Sequence, residues 1–323
     1  MKGKYRIIVE NKKIKYDFEI RRNITIIKGD SATGKTTLVD MIGDFFDNGE
    51  SSGISLRCER TCAVLSGKNW QALLDTFHNS ILFIDEGNSF VSSKEFSSAV
   101  KSSDNYFVIV TRESLPTLPY SVKEIYGIRN SGKYGTLKQT YNELYNIYGT
   151  SGVNLNINPS VIITEDSNSG FQFFEHICKN TYIKCISANG KSNIFSMLLK
   201  MKSENVFIIA DGAAFGSEME KVMSLLKIKK SVCLYLPESF EWLILNSGII
   251  KDNDIKKILE KSYDYVDSKI YVSWERYFTA LLTERTKNSY LAYNKHSLND
   301  IYMTETASDN ILKQIKELNL KKE

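Results

Sequence analysis

The feature that most constrains this chain is an octapeptide, Gly29-Asp30-Ser31-Ala32-Thr33-Gly34-Lys35-Thr36, set between an apolar run and a helical one. It satisfies G-x-x-x-x-G-K-[ST] at every fixed position, and residues 24–27 before it read as a short buried strand. Glycines let the backbone wrap tightly so that successive N–H groups point inward, and the following helix adds its positive N-terminal end. Such a loop is built to hold polyphosphate. Lys35 is expected to reach the β- and γ-phosphates and the Thr36 hydroxyl to ligate magnesium, with Thr37 completing the binding segment at the helix start. The expected ligand is a nucleoside triphosphate, ATP with Mg2+. GTP is disfavoured, because Asn294-Lys295-His296-Ser297, the nearest approach to a guanine-reading Asn-Lys-x-Asp, lacks the aspartate.

A second element is the apolar run 81–84, which ends in Asp85-Glu86. In an open parallel sheet ligands sit at the carboxyl ends of the strands. Asp85 is therefore expected beside the magnesium, and Glu86, the candidate catalytic residue, is placed to polarise a water. The run 107–110 ends in Thr111-Arg112, where a polar group can sense the γ-phosphate.

Alternation of apolar and polar residues over 5–9 and 14–20 predicts an opening β-hairpin. Strands over 61–65, 81–84, 106–110 and 122–128, separated by helices over 70–77 and 96–101, predict a parallel sheet covered on both faces. This first domain spans 1–150, and the turn-rich stretch 150–159 is the linker. A second α/β domain, 158–250, follows with strands over 161–164, 183–187, 206–210 and 232–236. Residues 251–323 form a mainly helical C-terminal extension. In the second domain Glu165 and Asp211 end two strands, and Glu238 or Glu241 follows the fourth. Parallel strands bring such ends to one edge, which makes Glu165 and Asp211 candidate ligands for a divalent ion. A rival phosphate loop at Gly190-Lys191-Ser192 has Cys185 where its first glycine belongs.

Composition narrows the setting. With 42% hydrophobic and 25% charged residues, the chain of 323 can bury two ordinary cores. A net charge of +4 does not mark a nucleic-acid binder by itself. The five cysteines lack the paired spacing of a zinc site and fit a reducing interior. No apolar run suits a membrane span and no secretory leader is evident, so the expectations are a cytoplasmic location and no membrane partner.

With its phosphate loop, Asp85-Glu86 and an intervening strand, the first half resembles the ATPases with an added catalytic glutamate, the class of the RecA-like, AAA+ and ABC families. The opening hairpin is most similar to the ABC type. The nearest approach to the ABC Leu-Ser-Gly-Gly-Gln signature, Leu65-Ser66-Gly67-Lys68-Asn69, lacks the second glycine and the glutamine, and no switch histidine follows. The second half resembles the Toprim domain, which carries a Glu on its first strand and Asp-x-Asp on its third; here Ala213 stands at the second aspartate. The order of the two is that of the OLD family. The resemblance implies an ATPase coupled to a domain that acts on or binds nucleic acid, with a nucleic-acid or protein partner, a role in phage defence or mobile elements, and a homo-oligomer. Two alternatives stay open: an ATP-switched binding module with an inactive second domain, and a small-molecule kinase.

Overall fold

The computed structural model describes residues 1–323 apart from 31–32, 133–138, 150–156, 203–204 and 321–323. The chain divides into two compact units, Met1–Tyr148 with Lys261–Val272, and Gly149–Glu260 with Ser273–Glu323. The expected extension over 251–323 is thus not a unit of its own. Part of it joins the first unit and the rest belongs to the second. Most of the expected linker lies outside the described residues.

The first unit is built on a mixed sheet. Strands β1 (Tyr5–Glu10) and β2 (Ile14–Ile20) form the antiparallel hairpin, followed by β3 (Ile24–Ile27) and helix α1 (Lys35–Asn48). Then come β4 (Ser55–Arg57), β5 (Cys62–Val64), α2 (Trp70–Leu74), β6 (Ile81–Ile84), α3 (Lys94–Ser102), β7 (Tyr106–Val110), β8 (Ile125–Asn130) and β9 (Thr140–Asn146). Their order across the sheet is β4-β1-β2-β9-β8-β3-β7-β6-β5. From β8 to β5 neighbouring strands run parallel, as expected. Beyond them β1 and β2 form the expected antiparallel hairpin and β2 pairs parallel with β9, while β1 with β4 and β8 with β9 are antiparallel, which makes the sheet mixed. The short β1–β2 connection allows only antiparallel pairing. The start of the expected strand 122–128 is a 3₁₀ turn, Val122–Glu124, and the strand begins at Ile125.

β3, β6 and β7 are buried along their whole length, which is why they read as continuous apolar runs. In register, Ile27 faces Val110, and Ile84 faces Ile109. The three strand ends therefore reach the same edge. Leu38, Val39, Met41 and Ile42 of α1 pack into the core with Ile27, Ile81, Phe83 and Val108.

The second unit holds a four-stranded sheet of β10 (Val161–Thr164), β11 (Lys184–Ser187), β12 (Val206–Ile209) and β13 (Val232–Tyr235), parallel throughout, in the order β11-β10-β12-β13. Between and after them lie α4 (Ser169–Cys178), α5 (Lys191–Lys200), α6 (Met219–Leu226), α7 (Phe240–Asn246), α8 (Asn253–Glu260), α9 (Trp274–Thr286) and α10 (Glu305–Leu312). The winding reverses between β10 and β12, the point where open α/β sheets leave a crevice at their carboxyl ends.

Candidate functional site

Two clusters of chemistry-bearing side chains stand out, one in each unit. In the first, the glycine loop joins β3 to α1. Gly29 and Gly34 have φ of 137° and 89°, left-handed geometry that side chains resist. A Cβ on Gly34 would also lie 2.7 Å from the Tyr16 hydroxyl. That hydroxyl, from a buried β2 residue, donates to the Gly34 carbonyl at 2.8 Å and pins the loop to the hairpin. Lys35 is 5% exposed. Its ammonium donates to the carbonyls of Gly29 (2.8 Å) and Asp30 (2.5 Å) and to Thr33 Oγ1 (3.1 Å), so it is held within the loop from both ends. Thr36 is exposed and Thr37 half-buried at the start of α1. Ser31 and Ala32 lie outside the described residues.

Asp85 follows β6 at the edge shared with β3. Its Oδ1 is buried and has no hydrogen-bond partner, an unusual state for a carboxylate oxygen and one that a cation would relieve. Burial, and then the Asp85 and Asp44 charges, raise the carboxyl pKa of Asp40 on α1. Negative charge thus gathers beside the helix that carries Thr36. Glu86 is exposed and ion-paired, its Oε1 2.9 Å from Arg112 Nε. The Thr111 hydroxyl closes its own turn by accepting from the Glu113 N–H at 3.0 Å. Of the two polar residues after β7, Arg112 is therefore the one that reaches the candidate base. Leu65 N donates to Phe83 O at 2.8 Å, so the Leu65-Ser66-Gly67 stretch continues the β5–β6 pairing as a strand end.

In the second unit, Glu165 and Asp211 do come together: Glu165 Oε2 accepts from the Asp211 N–H at 2.9 Å. They stand at the carboxyl ends of β10 and β12, in a cleft also lined by Thr164, Ser169, Glu241 and Lys295. Burial raises the Glu165 pKa to about 7; the Glu275 charge adds to this, while the Asp211 N–H and Lys191 oppose it. Asp211 is pushed well above the usual range by burial and then by Glu275, Glu165 and Glu241. Sequence reasoning missed Glu275 and Lys295. The Lys295 ammonium lies 2.8 Å from Glu275 Oε1 and 3.9 Å from Glu241 Oε1. Burial alone would lower its pKa, but Glu241 and Glu275 outweigh that and raise it. Tyr293 donates to Glu241 Oε1 at 2.8 Å and lies 2.6 Å from the Ser169 hydroxyl.

Among the described residues no group of three or more His, Cys, Asp or Glu is arranged to hold a metal. In the second cleft one Glu165 oxygen is engaged by backbone and a lysine draws off Glu241 and Glu275. This arrangement is an acid cluster that includes a lysine. Lys191, of the rival loop, opens α5 behind Gly190 and donates to the Ala214 carbonyl at 2.5 Å, a structural tie. Ala213, where an aspartate would have supplied a further ligand, is buried. The chain matches no family model, no curated protein and no solved structure.

Proposed function

We propose that the first unit binds ATP with magnesium and hydrolyses it, and that the second is a Toprim-like domain governed by that nucleotide and directed at nucleic acid. The observation that carries the nucleotide reading is the buried, unpartnered Oδ1 of Asp85 at the sheet edge to which the glycine loop belongs. In this reading Lys35 and the loop N–H groups bind the phosphates, and Thr36 and Asp85 hold the ion. The ion, when bound, screens charge on the phosphates. Glu86 accepts a proton from water once Arg112 releases it. Titration with a fluorescent ATP analogue, with and without magnesium, is the test. Asp85→Asn should abolish the magnesium-dependent part of the affinity and leave a weaker, ion-independent part. Equal magnesium dependence in both chains would overturn the assignment.

A specific observation favours a second reading, in which ATP switches a domain that cuts nothing. Lys295 already neutralises part of the acid cluster, so a divalent ion would compete with a resident ammonium. Calorimetry with manganese separates the two: binding lost in Asp211→Asn supports a metal-dependent activity, and no binding at all supports the switch.

A further inference from the structure

Because β10–β13 are parallel and begin in register, Val161 level with Lys184 and Val206, and Val206 with Val232, the connections entering β11, β12 and β13 arrive at a single edge. It is the edge opposite Glu165 and Asp211. Each connection presents the same pairing of exposed cation and exposed apolar side chain. In the first, Lys179 and Lys184 flank Tyr182, which is 93% exposed. In the second, Leu199, 56% exposed, is followed by Lys200 and Lys202. In the third, Ile228, 79% exposed, stands among Lys227, Lys229 and Lys230. The one acid in these connections, Glu204, lies outside the described residues.

Part of this lysine content is ordinary helix chemistry. Lys200 sits in the last turn of α5, where a cation opposes the helix dipole. Lys229 donates to the carbonyls of Leu198 (2.6 Å) and Met201, which also ties the third connection to the second. Neither effect accounts for Lys184, Lys202 and Lys230, nor for three bulky apolar side chains in solvent. Lys184, Lys200 and Lys202 also rim a cavity of about 500 Å³ whose remaining walls are Val161, Ile186, Met197 and Met201.

The partner must satisfy both halves of that chemistry. A nucleic-acid backbone would engage the lysines and leave Leu199 and Ile228 without a use. An anionic bilayer uses all of it: ammonium groups on lipid phosphates, aliphatic stems and tips below them, and a tyrosine at headgroup depth. We propose that this edge of the second unit docks on an anionic phospholipid surface. Among the described residues no helix is long and apolar enough to cross a membrane, so the contact is superficial and reversible. The proposal does not depend on the nucleotide reading.

Flotation of the full chain with vesicles of phosphatidylcholine, alone or mixed with phosphatidylglycerol, tests it. Binding is expected only to the mixed vesicles and should weaken with salt. Each lysine near an anionic surface contributes about fivefold, so Lys184→Gln, Lys200→Gln and Lys230→Gln together should lower partition roughly a hundredfold. Arginine at the same three positions should retain it. Tyr182→Ser with Ile228→Ser should also lower partition, with an unchanged melting temperature in every variant as the folding control. Equal partition onto both vesicle types, or loss-free variants, would overturn the proposal. So would a single-stranded oligonucleotide that binds through these lysines, indifferent to Tyr182 and Ile228, in a chain that ignores vesicles.

Discussion

The Lys35 ammonium satisfies carbonyls of the glycine loop, and in the proposed reading it also meets the bound phosphates. Lys35→Ala should weaken ATP binding by about 1.5–3 kcal/mol, ten- to a hundredfold, with the fold retained. A fluorescent-nucleotide titration beside a thermal melt checks both parts. Glu86 gives a sharper distinction. Glu86→Gln should leave nucleotide affinity nearly unchanged yet slow phosphate release by roughly 10²–10⁴-fold, because the amide keeps the shape but cannot act as a base. The Arg112–Glu86 pair is exposed at both ends, so Arg112→Ala should change stability by less than about 1 kcal/mol. Its effect belongs in turnover. Phosphate release as fast in Glu86→Gln as in the parent chain would move the base elsewhere.

At the scale of elements, the strand ends of the second sheet predict a pH dependence. Glu165 titrates at about 7 in the folded chain against an ordinary 4.5, so the native state holds that proton more tightly than the unfolded one. The stability it contributes is complete below pH about 4.5 and is lost as pH rises through 7. Asp211 shifts in the same direction. Melting temperatures measured from pH 5 to 7.5 should fall by a few degrees in the parent chain and by less in Glu165→Gln, which mimics the protonated acid. Identical slopes would remove Glu165 from the account. The elements that bring these acids together were legible because they carry strong patterns. Residues 161–163 and 206–210 are uninterrupted apolar runs with polar or acidic residues behind them. β9 was not legible. Its sequence, Thr-Tyr-Asn-Glu-Leu-Tyr-Asn, is polar and holds its place by pairing with β8 and β2. Tyr16, Glu275 and Lys295 escaped for a related reason: each acts on a site distant in sequence, and no local periodicity reports such a contact.

For the molecule as a whole, the division of the chain matters more than any one site. The stretch Lys261–Val272 belongs to the first unit, where Tyr263 O accepts from Gly3 N at 2.6 Å and Val272 O from Asn23 Nδ2 at 2.9 Å. Val266 and Val272 are buried there. A charge at Val266 should cost several kcal/mol. In Val266→Asp, hydrogen exchange is expected to quicken in β1 and β3, far earlier in the sequence, while β10–β13 keep their protection. Quickening confined to the second unit would contradict the division. Asn23 immediately precedes β3, the strand that feeds the glycine loop, so the late segment supports the strand leading into that loop. During synthesis this sets an order of events. The ribosome finishes β9 and must then make all of β10–β13 before residue 272 emerges, a delay on the order of ten seconds. Until then the first sheet lacks a buried flank. The first unit therefore reaches its native state only after the sheet of the second unit has been made, and an early stop would release an unfinished first unit.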